Sequence, residues 1–188
     1  VQLSVVVPVR NEAENIAPLI QEIHAALEGR ADFEVIYIDD GSSDETPARL
    51  KAAMAQYPRL RVISHARSCG QSAALMTGVR AARGEWIATL DGDGQNDPAD
   101  IPKLLAARDG AAANVAMVAG YRKKRQDSAL KRISSRIANA VRSTLLGDST
   151  PDTGCGLKLV QRAAYLELPF FDHMHRFLPA LVQRAGGG

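Results

Sequence analysis

Trp86-Ile87-Ala88-Thr89-Leu90 runs straight into Asp91-Gly92-Asp93-Gly94-Gln95, an apolar stretch that ends in two carboxylates separated by one glycine. The apolar stretch is short and bounded by turn residues, so it reads as a buried strand over residues 86–90. The acidic pair beyond it has no evident folding role. Oxygen ligands beside glycines suit a hard divalent cation held against a phosphate-bearing ligand. At i and i+2, Asp91 and Asp93 would face the same way on a strand, and Gly92 lets the chain bend sharply. Magnesium or manganese (Mg2+ or Mn2+) fits such ligands. Zinc would call for histidine or cysteine, and none neighbours the pair.

The same design occurs earlier. Residues 33–38 read as a strand that ends in Asp39-Asp40-Gly41-Ser42-Ser43-Asp44, with a helix from Thr46 to Gln56. Residues 3–7 form a valine-rich strand that Pro8 is expected to close. Asn11-Glu12-Ala13-Glu14 has capping-box spacing, and Asn15 is a second candidate cap that would place Pro18 in the first turn. Ile16, Ile20, Ile23 and Leu27 mark one helical face. Further strands are expected at 61–64 and 115–119. Helices are expected over 70–83, with Ala74, Leu75, Gly78, Val79 and Ala82 inward and Gly84 as the stop, and after Asp97-Pro98, with Ile101, Leu104 and Leu105 inward.

Strands and helices alternate throughout, and the early strands are apolar on both faces. The pattern predicts an α/β fold: a Rossmann-like, doubly wound, mostly parallel sheet with flanking helices. Ligands of such sheets bind beyond the carboxyl ends of the strands. Asp39-Asp40 and Asp91-Gly92-Asp93 are both predicted at that edge. Converging carboxylates repel, and the repulsion is tolerated where a cation or a donor-rich ligand resolves it.

The chain has 188 residues, enough for one domain with a core, and 46% of them are apolar, which argues against disorder. A net charge of +2 does not by itself point to nucleic acid. Cys69 and Cys155 make neither a disulfide framework nor a zinc site and fit a reducing compartment. The opening carries no signal-peptide pattern, and no run reaches the roughly 18 apolar residues of a membrane span. Val1 and Gly186-Gly187-Gly188 read as cuts in a longer protein, leaving room for a membrane anchor beyond residue 188.

Positive charge is concentrated in Arg122, Lys123, Lys124, Arg125, Lys131, Arg132, Arg136 and Arg142, against the single acid Asp127. Ile133, Ile137, Val141 and Leu145 recur every four residues, so about 130–146 reads as an amphipathic helix with a basic side, within a basic amphipathic arm over 121–146. Arg132 and Arg136 lie one turn apart and can share a phosphate. A solvated helix packed on the sheet is the plainer alternative. Nucleic acid is disfavoured, because the arm has no aromatics to stack bases. An anionic membrane surface or a lipid phosphate accounts for both the charge and the apolar stripe.

Several enzyme classes share parts of this pattern. A dinucleotide-binding fold needs Gly-x-Gly-x-x-Gly after its first strand, where this chain has Pro8-Val9-Arg10-Asn11. A Walker A loop is missing. A receiver domain is smaller and has no basic arm. A nucleotidyltransferase wants a glycine-rich basic loop after the first strand, and Pro8 to Asn15 has no glycine. An interaction domain has no use for paired acidic sites. A nucleotide-sugar transferase has a use for every piece.

Val5-Val6-Val7-Pro8-Val9-Arg10-Asn11-Glu12, Ile38-Asp39-Asp40-Gly41-Ser42-Ser43-Asp44-Glu45-Thr46 and Asp91-Gly92-Asp93-Gly94-Gln95-Asn96-Asp97-Pro98 occur in that order. Over the first 120 residues the ordered set resembles the family 2 glycosyltransferases, with their GT-A fold. The resemblance implies that Pro8, Arg10 and Glu12 border the nucleotide pocket, with Glu12 in direct contact. It implies that Asp40 meets the base or ribose while Asp39 supports the loop. Asp91 would lie beside the nucleotide-sugar, and Asp93 with Gln95, together with Asp91, would hold the metal.

The second half is similar to the polyprenyl-phosphate sugar synthases of that family. Gly120-Tyr121-Arg122 and Ser135-Arg136-Ile137-Ala138-Asn139 imply that Arg122 and Arg136 face the phosphates. Asp152 to Lys158 resembles a Gly-Phe-Arg-Leu segment, with Cys155, Gly156 and Lys158 where Gly-Phe-Arg is common. Lys158 keeps the charge without the rigid fork. His175-Arg176-Phe177-Leu178-Pro179 resembles a segment that closes over the active site. Arg132, Lys158 and Arg176 would join Arg122 and Arg136 on the acceptor side.

On this reading residues 1–188 are a glycosyltransferase catalytic domain truncated at its C-terminus. It would move a hexose from a GDP- or UDP-sugar to undecaprenyl or dolichyl phosphate with inversion, from the cytoplasmic side of the membrane and as a peripheral piece. A phosphate monoester is already charged near neutral pH and needs no base. A hydroxyl acceptor would need one, and Asp152 is the candidate.

Overall fold

A computed structural model describes residues 1–112, 114–120 and 156–186; the basic arm, with Arg122, Arg132 and Arg136, and also Asp152 and Cys155, lies outside the described residues. β1 (Leu3–Val9) and β2 (Phe33–Asp39) are buried along their whole length. That is why they read as continuous apolar runs: both faces of the sheet are covered. Leu3, Val5, Val7 and Val9 pack with Ile16, Ile20 and Ile23 of α1 (Ala13–Leu27), whereas Val6 packs with Ala74, Leu75 and Val79 of α3 (Gln71–Ala81). The period of two sends alternate valines to opposite layers. Gly78 lets α3 lie close to the sheet, since a Cβ there would come within 2.4 Å of Val6 Cγ1.

β3 (Leu60–Ser64) follows α2 (Thr46–Gln56), β4 (Trp86–Thr89) follows α3, and α4 (Ile101–Asp109) precedes β5 (Met117–Ala119). β6 (Lys158–Gln161) leads into α5 (Arg162–Glu167) and α6 (Leu178–Arg184). Among the described residues the sheet order is β3-β2-β1-β4-β6-β5. The pairs β1–β2, β1–β4 and β2–β3 are parallel. β6 runs antiparallel to both β4 and β5, so β5 points the same way as the first four strands. The fold is GT-A-like, a mostly parallel α/β sheet with flanking helices. β6 itself was not expected, because Lys-Leu-Val-Gln is too short and too polar at its ends to read as a strand.

Three local expectations are corrected. Pro8 does not close β1 but lies within it, paired in register with Ile38. Val6 accepts from Leu90 N–H on the β4 side, and Val9 accepts from Asp40 N–H on the β2 side. Peptide groups alternate, so the missing N–H of Pro8 faces past the end of β4, where no ladder partner is required. Neither Asn11 nor Asn15 caps α1: the helix begins at Ala13 and Pro18 sits inside it. Its start is held by the β2–α2 loop and the first residue of α2, with Glu12 N–H donating to Thr46 Oγ1 at 2.9 Å and Ala13 N–H to Asp44 Oδ2 at 3.3 Å. Gly84 does not terminate α3, which ends at Ala81. It is glycine because a Cβ would lie 2.6 Å from the Ser4 backbone nitrogen.

The edge of the sheet away from the acidic turns is tied by Glu34. Its Oε1 accepts from Ser4 Oγ and from Arg83 N–H, both at 2.7 Å, and its Oε2 accepts from Arg61 Nη1 at 2.7 Å. Burial opposes the charge on Glu34, and these donors, Arg61 first, outweigh it and hold the carboxyl below its usual range.

Candidate active site

Because β1, β2 and β4 are parallel neighbours, the segments leaving their carboxyl ends meet at one edge, where they line a cleft of about 400 Å³. Pro8, Arg10 and Glu12 line it from β1 and its turn, Asp40 from beyond β2, and Asp91, Gly92 and Asp93 from beyond β4. The two predicted acidic clusters therefore share one cavity. Ser68, Gly70, Gln71 and Ala74 complete the lining from the β3–α3 connection and the start of α3. Those four were missed from sequence. The signal was the position of Ser68-Cys69-Gly70-Gln71, a polar connection leaving a strand at the same edge as the other two.

The turn after β1 is held by its neighbour. Asn11 has φ 56°, the left-handed region that asparagine tolerates. Its N–H donates to Ser42 Oγ at 2.9 Å, and its Oδ1 accepts from Ser43 N–H at 2.8 Å. Glu12 Oε2 accepts from Asn15 Nδ2 at 2.6 Å. Asp39 is buried, and its Oδ1 accepts from Ser42 N–H at 3.0 Å. It thus stabilises the loop and is not among the described residues lining the cleft.

Asp40 is buried and uses both oxygens inside the chain. Oδ1 accepts from Cys69 N–H at 2.8 Å and faces His65 Nδ1 at 2.7 Å; Oδ2 accepts from Ser68 Oγ at 2.7 Å and Gly70 N–H at 2.9 Å. Burial alone would push its carboxyl up. The donors from Cys69, His65, Ser68 and Gly70 outweigh that and hold it down at about 2. His65 Nε2 reaches Thr77 Oγ1 at 3.0 Å.

A histidine and a cysteine do meet the other acidic cluster, at the end of β2. Asp40, His65 and Cys69 offer ligand atoms within 4.8 Å of one another. Their geometry is that of a hydrogen-bonded cluster: the Asp40–His65 contact is too short to admit an ion, and the Cys69 thiol donates to Arg67 C=O at 3.4 Å. The cluster lies past the end of β2, on the other side of β1 from β4.

β4 ends at Thr89, so Asp91 and Asp93 sit on a turn, and strand alternation does not orient them. Asp93 has a local folding role after all: its Oδ1 accepts from Gln95 N–H at 3.0 Å. Gln95 thereby meets Asp93 through its backbone, and its exposed side chain is not among the described cleft-lining groups. Asp91 Oδ1 accepts from Gln71 Nε2 at 2.8 Å. Gly156 is pressed against the same carboxylate, since a Cβ there would lie 1.9 Å from Asp91 Oδ2.

Lys158 is buried at the start of β6, paired in register with Thr89 and Ala119. The turn Met174–Phe177 docks on α3 through His175, whose Nδ1 is 2.7 Å from Ser72 Oγ. Burial, then the positive charges of Arg176, Lys158 and His173, push His175 down to about 4, with Asp172 opposing. Arg176 is exposed and, like Lys158, is not among the described residues lining the cleft.

A family profile described as "Glycosyl transferase family 2" matches residues 4–168. The dodecaprenyl-phosphate galacturonate synthase of Rhizobium johnstonii is 36% identical over 184 residues, covering 96% of this chain and 54% of that protein. The undecaprenyl-phosphate 4-deoxy-4-formamido-L-arabinose transferase of Edwardsiella ictaluri is 34% identical over 183 residues, covering 96% and 55%. The chain thus spans about half the length of the curated relatives it matches. Glucosyl-3-phosphoglycerate synthase from Mycobacterium tuberculosis, in complex with Mn2+, UDP-glucose and phosphoglyceric acid, shares the fold with TM-score 0.70 at 24% identity, over 90% of this chain and 59% of that one. Among the described residues, no helix is long and apolar enough to cross a membrane.

Proposed function

This chain belongs to glycosyl transferase family 2, and from that premise we propose that it moves a hexose from a nucleotide-sugar to a polyprenyl phosphate with inversion at the anomeric carbon. The observation that carries the proposal is that Asp40, from beyond β2, and Asp91 and Asp93, from beyond β4, line the same cleft. The two relatives named for polyprenyl-phosphate products support the acceptor class.

On this reading Pro8, Arg10, Glu12, Asp39 and Asp40 form the nucleotide side. Glu12 and Asp40 carry acceptor oxygens for base or ribose groups, although the oxygens of Asp40 already serve the β3–α3 connection. Asp91, Asp93 and Gln95 form the diphosphate side. Their donor set is all oxygen, and two of the three line the cleft, which fits Mg2+ or Mn2+ better than zinc. A bound cation there supplies charge neutralisation for the departing nucleoside diphosphate. The N-terminus of α3 lies beside the cleft, where its dipole favours the same anion.

The acceptor is already an anion, so the residues must overcome repulsion between two phosphate-bearing substrates without removing a proton. Arg122, Arg132, Arg136, Lys158 and Arg176 are the cations assigned to that work, orienting the incoming oxygen toward C1. The arm at 121–146 would also rest on an anionic membrane surface, on the cytoplasmic side. A hydroxyl acceptor, with Asp152 as general base, is the alternative mechanism.

The test is direct. The full-length protein is incubated with a panel of UDP- and GDP-sugars and undecaprenyl phosphate, and the product lipid is identified by mass. A glycosylated lipid phosphate is expected. Transfer only to a hydroxyl acceptor would overturn the acceptor assignment.

A further inference from the structure

Three consecutive residues at the start of α3 each hold a different, distant segment. Gly70 N–H donates to Asp40 Oδ2 at 2.9 Å, Gln71 Nε2 donates to Asp91 Oδ1 at 2.8 Å, and Ser72 Oγ meets His175 Nδ1 at 2.7 Å. We propose that Gln71 positions the Asp91 carboxylate for the divalent cation, and that Gly70-Gln71-Ser72 joins the nucleotide side, the metal side and the 174–177 turn into one unit. This rests on the donor-site reading above.

The need for such a device follows from where β4 stops. Asp91 lies past the last strand residue, Thr89, and the nearest backbone anchor before it is Leu90 N–H to Val6 C=O at 3.1 Å. A carboxylate on a turn can rotate about its side-chain bonds, and its orientation decides which lone pairs meet an ion. Gln71 engages one oxygen. Gly156 backs the other so closely that no side chain fits between them, and Asn96 Nδ2 approaches that oxygen at 3.5 Å.

The chemistry of Gln71 suits positioning and not ligation. Its nitrogen is spent as a donor to Asp91. As a neutral amide it orients the carboxylate without cancelling the negative charge the cation needs, which a lysine at that place would do. The helix that presents it is itself fixed. Ser72 is buried, Ala74 and Val79 pack on the sheet, and Gly70 is bound to Asp40. Gln71 is exposed to the cleft, so replacing it opens no hole in the core.

The test compares Gln71→Leu, Gln71→Lys, Asp91→Asn and the Gln71→Leu/Asp91→Asn pair in the full chain. Mn2+ affinity in the presence of UDP, and in parallel GDP, is read from the EPR signal of free Mn2+, without turnover. Nucleotide affinity in EDTA and Tm are measured alongside. Gln71→Leu is expected to weaken Mn2+ binding by about 10- to 100-fold, and Gln71→Lys by more, with metal-free nucleotide affinity and Tm unchanged. Added to Asp91→Asn, Gln71→Leu should have no further effect, because it acts through that carboxylate.

Wild-type Mn2+ affinity in Gln71→Leu, with loss in Asp91→Asn, would overturn the positioning role and leave the donor-site reading standing. Wild-type affinity in Asp91→Asn would overturn both. An equal fall in metal-free nucleotide affinity or in Tm would mark Gln71 as a general structural contact and overturn the proposal.

Discussion

His65 Nδ1 lies 2.7 Å from Asp40 Oδ1, and the two side chains are nearly shut off from solvent, at 15% and 7% exposure. The pair, with Ser68, Cys69 and Gly70, fastens the β3–α3 connection onto the end of β2. Asp40→Ala strands several donors at once and is expected to destabilise the chain by about 3 kcal/mol or more, at about 1–3 kcal/mol for each buried group left unpaired. Urea unfolding checks this. The depressed carboxyl also sets a pH window. Its folded-state advantage is complete above the ordinary value of 3.8 and is lost as pH falls through about 2. Unfolding free energy should therefore drop between those limits, and the drop should be shallower in Asp40→Asn.

His175 titrates in a different window with the same sign. Its folded value of about 4 lies below the ordinary 6.5, so the unfolded chain takes up the proton first. The contribution of His175 is complete above 6.5 and is lost as pH falls toward 4. Tm measured against pH should decline over this range in the wild type and less steeply in His175→Gln.

Asp93→Ala should abolish metal-dependent transfer while leaving the fold intact, since Asp93 is exposed and its bond among the described residues is to Gln95 N–H in the same turn. Turnover with Mg2+ or Mn2+ and a circular-dichroism melt separate the two effects. Normal turnover would sink the metal assignment.

Arg136→Ala, outside the described residues, should impair transfer to lipid phosphate more than nucleotide binding. Steady-state kinetics with varied acceptor, beside a nucleotide titration, measure the difference. Equal loss of both counts against an acceptor-side role.

Glu34→Leu serves as a control at the opposite edge of the sheet. Removing the carboxylate leaves Ser4 Oγ and Arg83 N–H without their acceptor and strips Arg61 of its ion pair, with Ala81 C=O still accepting from Arg61 Nη1 at 3.0 Å, and about 3 kcal/mol of stability should go with it. Denaturant midpoints should fall while nucleotide affinity, measured well below the new melting temperature, stays at the wild-type value.

Much of the site is legible in the order of the residues. Apolar runs at residues 3–7, 33–38 and 86–90 report burial on two faces, and acidic turns directly after two of them report the ligand edge. The boundaries that failed were those set by a neighbour. Pro8 stays in β1 because β4 is already finished beside it, and α1 begins at Ala13 because Asp44 and Thr46, before and at the start of α2, hold its first turn.

The sequence alone determined that β1 and β2 are buried and that Asp40, Asp91 and Asp93 follow strands, because burial and turn chemistry are written in local residue order; Asp39, expected just past β2, is its last residue. Only the tertiary structure decided that β6 slips antiparallel between β4 and β5, and that Gly156 arrives against Asp91 as a result. It also decided that Gly70, Gln71 and Ser72 reach Asp40, Asp91 and His175. Residue pattern encodes how apolar a face must be and where a chain turns. It does not encode which distant strand fills the next place in a sheet, and the partners of a hydrogen bond across the cleft follow from that choice.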